Sequence, residues 1–178
     1  MKHWVDIMNP VLEKMSREEL LAYLDVVSKN WLAHDGLWFL AVESEFGLDK
    51  AIQIDIKAWE GFTRVEARRL MKFLGLPKGG GLEAVKKALR YRLAANVNHY
   101  EILDLPDGSF TFQMCGCRVQ DARKRKGMAA FHCKPVGMVE YTGFAQIIDP
   151  RVRVECLRCP PDEMSDGRWC TWRFSLEE

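Results

Sequence analysis

Six cysteines are the residues of this chain best suited to chemistry, and all of them lie in its last third. They are Cys115, Cys117, Cys133, Cys156, Cys159 and Cys170. Cysteines that serve only packing would be spread along the whole core, so this confinement indicates a metal site or a reactive thiol. The alternative is a group of small buried hydrophobic side chains, since free cysteine is among the most buried residue types.

The last three cysteines form the most specific part of the pattern. Cys159 follows Cys156 by three residues, a spacing that lets two thiolates bind one ion, and Pro160-Pro161 stiffens the chain directly after them. Strand alternation places Cys156 and Cys170 on the same face of a hairpin, close to its loop. A redox pair at Cys156 and Cys159 is less favoured, because such pairs usually begin a helix and the two prolines do not indicate one.

We therefore expect a cysteine metal site, with zinc as the first choice and an iron–sulfur cluster as the alternative. Cys115 and His132 are further candidates for a fourth ligand. The expected ligands are Cys117, Cys133, Cys156, Cys159 and Cys170.

Composition argues against several classes of partner. The formal net charge is +1, and the dense basic run at 123–126 is better explained as a solvated helix end than as a phosphate-binding patch. Nucleic acid binding is therefore not expected. Charged residues interrupt the first ten positions, where a signal peptide would be apolar, and no segment reaches ~18 consecutive apolar residues. We expect a cytoplasmic protein without a membrane partner, in which disulfides would not persist.

The length and the apolar content suit one folded unit. Of the 178 residues 48% are hydrophobic, with six Trp and nine Phe, which is enough for a substantial core. We expect a single domain, 1–178, with a helical half at 1–96 and a cysteine-containing half at 97–178.

The first half of the chain has the periodicity of helices. Ser16-Arg17-Glu18-Glu19 has the form of a capping box, and apolar residues recur at helical spacing from there to Phe46. We expect this apolar stripe to face the interior; it consists of Leu20, Leu24, Val27, Trp31, Trp38 and Val42. A second long helix is predicted from about 49 to 74, and a third, amphipathic one from about 82 to 96.

After residue 97 the apolar residues alternate with a period of about 2, which is typical of strands. Pro106-Asp107-Gly108 predicts the turn of one β-hairpin, residues 118–126 and 135–148 predict two helices, and residues 152–176 predict a second hairpin. We therefore predict an α+β fold, in which N-terminal helices pack on a four-stranded antiparallel sheet made of two hairpins separated by helices.

Acidic residues interrupt the apolar faces of both long helices. Asp35 falls on the first stripe between Trp31 and Trp38, and Asp55 and Glu66 fall on the stripe of the second helix. A carboxylate that faces an apolar interior either finds a cation or hydrogen-bond donors, or its pKa rises. Both outcomes resemble what an active site needs.

Two interpretations of these carboxylates stay open. In the first they form internal ion pairs, for which the candidate partners are Arg68, Arg69, Arg118 and Arg123. In the second the helices line a cavity with tryptophan walls and acidic groups, closed at one end by the cysteine region. The candidate catalytic residues of that cavity are His34, Asp35 and Glu140. Its candidate ligand-binding residues are Trp31, Trp38, Trp59, Glu66, Arg118 and Tyr141.

Seven short motifs carry a family resemblance. They are Asn30-Trp31-Leu32-Ala33-His34-Asp35-Gly36-Leu37-Trp38, Cys117-Arg118-Val119-Gln120, Cys133-Lys134-Pro135-Val136-Gly137, Glu140-Tyr141, Ile148-Asp149-Pro150-Arg151, Cys156-x-x-Cys159-Pro160-Pro161 and Cys170-x-Trp172-x-Phe174. With them the chain resembles an uncharacterised family of bacterial and archaeal cytosolic proteins. That family resembles the L-2-amino-thiazoline-4-carboxylic acid hydrolases and, more distantly, ligand-binding domains of the 4-vinyl reductase type. The resemblance implies an α+β ligand-binding fold with cysteines near the C-terminal strands.

Two functions are consistent with these features. The first is a metal- or thiol-dependent hydrolase of a small cyclic amide or thiazoline-like compound, with a base supplied by one of the candidate catalytic residues. The second is a non-catalytic ligand-binding or redox-sensing module with a structural zinc or iron–sulfur centre. The common hydrolase and dinucleotide-binding motifs do not occur in the sequence. Trp4 and Trp169 are candidates for the surface of a homodimer.

Overall fold

The computed structural model describes residues 9–163 and 167–177. Within these residues five helices and four strands follow one another along the chain. The helices are α1 (Arg17–Phe46), α2 (Leu48–Leu74), α3 (Gly81–Leu89), α4 (Arg118–Arg125) and α5 (Lys134–Ile148), and the strands are β1 (His99–Asp104), β2 (Phe110–Gly116), β3 (Val152–Arg158) and β4 (Cys170–Leu176). Short 3-10 turns lie at Leu12–Lys14 and Leu93–Asn96.

The two long helices begin and end where the sequence predicts. Ser16 Oγ accepts a hydrogen bond from the Glu19 N–H at 3.2 Å, and the Glu19 carboxylate accepts one from the Ser16 N–H at 2.7 Å, which completes the capping box of α1. Gly47, with a φ of 81°, separates α1 from α2. Gly75 ends α2 in the left-handed conformation, at a φ of 65°, which glycine adopts without a steric cost.

The four strands form one antiparallel sheet in the order β1-β2-β4-β3. Two hairpins therefore lie side by side, with β2 and β4 in the centre. Phe110 of β2 lies opposite Phe174 of β4, and their rings stack with centroids 4.7 Å apart. The predicted α+β fold, with helices N-terminal to a sheet of two hairpins, is confirmed.

The third helix is shorter than predicted. It ends at Leu89 rather than near residue 96, and Arg92 has an extended backbone with φ −62° and ψ 148°. The Arg92 side chain pairs with Glu66 and Glu140, and the Leu93 N–H donates to the Glu66 carboxylate at 3.0 Å. These contacts with α2 and α5 override the local preference for a helix, because buried charges must be paired.

The main hydrophobic core lies between the sheet and the helices α2, α3 and α5. Phe144 and Ile148 of α5 are fully buried in it, together with Trp172 and Phe174 of β4. Gly137 lets α5 approach the sheet, because a Cβ at this position would lie 2.5 Å from Cζ2 of Trp172. This close contact fixes the indole of Trp172 beneath the first turn of α5.

The prediction that the α1 stripe faces the interior is wrong. Among the thirty residues of α1, all of which the structure describes, Ser28 is the only buried one. Leu24 is 54% exposed and Trp38 is 64% exposed. Of the stripe, Trp31 packs against Trp59 and Phe62 of α2. Four other large apolar members of the stripe lie exposed on the outside: Leu20, Leu24, Val27 and Trp38.

Two further expectations concern surfaces. No helix within the described segments is long and apolar enough to span a bilayer. Trp4, a candidate for a dimer surface, lies outside the described residues. Trp169, the other candidate, is half-buried and packs against the main core.

Candidate ligand-binding cavity and thiol cluster

A cavity of about 460 Å³ lies between the long helices and the sheet. Helices α1 and α2 form one wall, and α4, α5 and the central strands form the others. Ten of the residues predicted for a site line it: Trp31, Asp35, Trp59, Cys117, Arg118, Cys133, Glu140, Tyr141, Cys159 and Cys170. Most of the candidate site therefore converges on one hollow, although its members come from six separate parts of the sequence.

Aromatic rings form much of the cavity wall. Trp31 and Trp59 meet edge to face with centroids 6.4 Å apart, and Tyr141 lies 4.9 Å from Trp172. Trp172 is fully buried, and within the described residues its indole Nε1 has no hydrogen-bond partner. A buried donor without a partner is costly, so this N–H is an energetic defect of the core beside the cavity.

Two carboxylates on the helical wall are partly removed from water. Burial raises the pKa of Asp35, and the nearby His34 opposes this effect. Burial also raises the pKa of Asp55, and the charges of Asp35 and Glu140 add to it, so that the pKa reaches about 7. These carboxylates and Glu140 thus concentrate negative charge at one part of the wall, and the cavity is also lined by basic residues: Lys29, Arg118, Arg123, Arg125 and Lys126.

Glu140 reaches the cavity from α5 and is held by a buried arginine. Arg92 is 3% exposed and lies between two carboxylates, with its Nε 2.8 Å from Glu66 and its Nη1 2.7 Å from Glu140. Burial raises the pKa of Glu140, and the charge of Arg92 opposes this effect. Glu66 therefore belongs to an ion pair, as the first interpretation expects, but its partner is Arg92 and none of the four arginines considered.

Cys133 occupies the position before the first turn of α5, with its thiol in the cavity wall. Its Sγ lies 3.3 Å from Cys159 Sγ and 3.6 Å from Nε2 of Gln120. The hydrogen bond from Cys159 lowers the pKa of Cys133, and that from Gln120 adds to the effect although burial opposes it. The α5 N-terminus also favours negative charge here. Cys133 is therefore the thiol of this pair that ionises first.

Cys159 is the centre of the thiol cluster, which we define as Cys133, Cys159 and Cys170. Its thiol lies 3.3 Å from that of Cys133, and its interactions with both other members raise its pKa strongly. Cys117 lines the same wall, and burial raises its pKa to about 12.

The described residues contain no group of three or more His, Cys, Asp or Glu side chains placed to hold a metal ion. Cys156, from the predicted ligand set, lies opposite Trp172 in the sheet but does not line the cavity. Burial raises its pKa to about 11. The metal itself therefore stays a prediction.

Residues 13–176 match the model of a family of unknown function, DUF6125. The chain belongs to this family. No curated protein and no solved structure shows significant similarity to it. The resemblance to thiazoline hydrolases and 4-vinyl reductase domains therefore stays a prediction, whereas membership of an uncharacterised family is confirmed. The part of the chain that matches DUF6125 contains every residue that lines the cavity.

Besides Glu66 and Cys156, two predicted residues do not line the cavity. His34 and Trp38 line a shallow apolar groove on the outer face of α1, with Leu37 and Ala41. Asp35 follows His34 directly, is rotated by about 100° around the helix, and reaches the cavity. The structure therefore brings Asp35 and Glu140 together as candidate catalytic groups and leaves His34 outside.

Sequence reasoning missed two residues that shape the site. Arg92 lies in a segment predicted to be an ordinary amphipathic helix, and nothing local distinguishes it from its basic neighbours. Trp172 shares a strand face with Cys170, and this alternation would have identified it as a cavity residue. Gln120, which lies beside Cys117, is fixed by hydrogen bonds to both the N–H and the C=O of Phe131.

Proposed function

We propose that this protein binds a small organic molecule in the cavity. The observation that carries the proposal is the convergence, in one hollow of about 460 Å³, of aromatic walls, desolvated carboxylates and a thiol with a lowered pKa. Small-molecule sites are clefts of about 300–1,000 Å³ with mostly apolar walls and a few convergent polar groups. Perturbed pKa values also concentrate at functional sites.

The carboxylates on the helical wall favour a ligand with a cationic group beside them. The charge of Asp35 raises the cost of ionising Asp55, so a bound ammonium group would relieve this repulsion. Trp31 and Trp59 lie in the same wall and would add a cation–π contribution. Basic side chains elsewhere in the lining suit an acceptor group of the same ligand; they are Lys29, Arg118, Arg123, Arg125 and Lys126.

A binding experiment with simple probes tests this preference. We expect 2-phenylethylamine to bind more tightly than 2-phenylethanol, its uncharged analogue, in isothermal titration at pH 8. Asp55→Asn should remove most of this difference, whereas Phe73→Asp, outside the cavity and 75% exposed at the end of α2, should leave it unchanged. Equal affinities for the amine and the alcohol would rule out the proposed charge preference.

For the reaction, we propose hydrolysis of a small cyclic amide or thiazoline-like compound with Cys133 as nucleophile. In a cyclic amide the thiolate would form a bond to the ring carbonyl carbon, the C–N bond would break to leave a thioester, and a protonated Asp55 or Asp35 would give its proton to the nitrogen. Water would then hydrolyse the thioester, releasing the acid and restoring the thiol. The lowered pKa of Cys133 and its position in the cavity wall support this role.

Alkylation tests the nucleophile without knowledge of the substrate. We expect iodoacetamide at pH 7 to modify Cys133 before the other five cysteines, as followed by peptide mass spectrometry. Gln120→Leu should slow this modification by removing a hydrogen bond to the thiolate, and Cys156→Ser is the matched control. Preferential labelling of another cysteine would contradict the assignment.

A second candidate is a non-catalytic binding or sensing module, in which the cysteines hold zinc or an iron–sulfur centre. It is favoured by the contact of Cys159 with both Cys133 and Cys170, because clustered thiolates suit thiophilic metals. Elemental analysis and an absorbance spectrum of anaerobically purified protein decide between the two. Stoichiometric zinc, or a visible band from iron and sulfur, would support the module and would protect Cys133 from iodoacetamide.

A further inference from the structure

The outer face of α1 carries an apolar stripe with the spacing of a helix–helix contact. We define the outer stripe as Leu20, Leu24, Val27, Trp31, His34 and Trp38. Successive members are separated by four and three residues in turn, which is the heptad spacing of two helices that pack along their length. His34 is the one polar member, and Trp31 also contributes to the cavity wall. Such a stripe on an isolated surface helix is expected to be covered.

The exposed area of this surface is large. Leu20, Leu24, Val27 and Trp38 are 36%, 54%, 40% and 64% exposed, and four neighbours on α1, Leu21, Tyr23, Val26 and Leu37, are 40–65% exposed. Eight large apolar side chains, each about half exposed, amount to roughly 800 Å² at ~200 Å² each. The largest apolar patch on a typical monomer is about 300–600 Å², and each partner of a stable complex buries about 800 Å².

The charges beside the outer stripe indicate which kind of partner it fits. The first half of α1 carries both signs of charge: Arg17 is followed by Glu18 and Glu19, and Lys29 pairs with Asp25 at 2.5 Å. A helix that lies on an anionic membrane carries mainly lysine and arginine on its polar face, so this mixed pattern does not suit a lipid surface. It suits another helix that has an apolar stripe of the same length, flanked by both acidic and basic residues.

We propose that the outer stripe is the interface of a homodimer, in which α1 packs against α1 of a second copy. A two-fold axis makes one self-complementary patch sufficient for both partners, and the area available on each copy matches what a stable dimer buries. The paired helices would cover Leu24, Val27 and Trp38, which are 54%, 40% and 64% exposed in a monomer. This proposal does not depend on the identity of the ligand.

The test is the mass of the full-length protein in solution. We expect sedimentation velocity at 20 µM to give twice the chain mass of 20.6 kDa. Leu24→Asp and, separately, Val27→Gln should each increase the dimer dissociation constant at least 100-fold and yield monomer. Phe73→Asp is the matched control, since Phe73 is 75% exposed at the end of α2, away from the stripe, and should remain dimeric.

Far-UV circular dichroism establishes that each variant keeps its helices, and Val27→Gln serves as the milder change should Leu24→Asp disturb the fold. A wild-type protein that sediments as a monomer at 20 µM would overturn the proposal. So would a dimer that both stripe variants leave intact, because its interface would then lie elsewhere.

Discussion

Replacement of Asp55 by asparagine should change how the stability of the protein depends on pH. The folded chain holds a proton on Asp55 up to a pKa of about 7, whereas the unfolded chain releases it near 3.8. Between these two pH values the folded state therefore binds more protons, so the free energy of unfolding falls as pH rises. Above pH 7 the contribution of the protonated carboxyl is fully lost.

The size of this effect follows from the two pKa values. A difference of about 3 at 1.36 kcal/mol per pKa unit gives an upper limit of about 4 kcal/mol, and the partial exposure of Asp55 reduces it to about 2–4 kcal/mol. Between pH 4.5 and 7.5 we expect the free energy of unfolding of the wild type to fall by about this amount relative to that of Asp55→Asn. Asp35 and Glu140, whose pKa values are also raised, contribute in the same direction in both proteins.

Urea unfolding at several pH values between 4.5 and 8 measures the difference directly. Asp49→Asn is the matched control, because Asp49 lies in the exposed first turn of the same helix. Its profile should run parallel to that of the wild type. If the pH profile of Asp55→Asn is also parallel to that of the wild type, the carboxyl of Asp55 is not desolvated. The charge argument for a cationic ligand would then have no basis.

Two further substitutions test how the site is held. Arg92→Met should lower the free energy of unfolding by about 3–5 kcal/mol, because Glu66 and Glu140 lose the cation between them. Urea unfolding measures this loss. A loss below ~1 kcal/mol would show that the two carboxylates find other partners. Gly137→Ala should lower the free energy of unfolding by about 1–3 kcal/mol, because the new methyl group overlaps Trp172. The gain of up to ~1 kcal/mol in helix propensity does not compensate for this overlap. The tryptophan emission spectrum should change as well. A more stable Gly137→Ala protein would contradict this packing.

Local signals in the sequence were sufficient for most of the fold. The capping box at Ser16, the glycines that end α1 and α2, and the change of period after residue 97 each act within a few residues, so the chain alone displays them. The end of α3 was not predictable in this way. Arg92 leaves the helix for carboxylates 26 and 48 residues distant, and such long-range pairs have no local signature.

The site was predictable as a set of unusual residues but not as an arrangement. Acidic residues on apolar stripes, such as Asp35, conflict with simple packing, and the structure resolves this conflict with a cavity. The closest pair of thiols is different from the expected one. Spacing favoured Cys156 with Cys159, whereas Cys159 contacts Cys133, 26 residues earlier, because the start of α5 lies against the β3–β4 connection.

The two faces of α1 connect the cavity to the proposed dimer. Ser28 is the only buried residue of this fully described helix, and α1 is held to the rest of the protein through half-buried side chains such as Trp31, Phe39 and Glu43. Trp31 belongs both to the outer stripe and to the cavity wall, and a partner helix packed on the stripe would restrict its ring. Ligand binding and dimerisation should therefore favour each other.

This coupling gives a last prediction. Leu24→Asp should weaken the binding of 2-phenylethylamine several-fold, although Leu24 does not line the cavity, while the dimeric control Phe73→Asp should bind as the wild type does. Isothermal titration of the two variants under identical conditions measures the difference. Equal affinities in a monomeric Leu24→Asp protein would mean that α1 keeps its position without a partner, and that the cavity and the interface act independently.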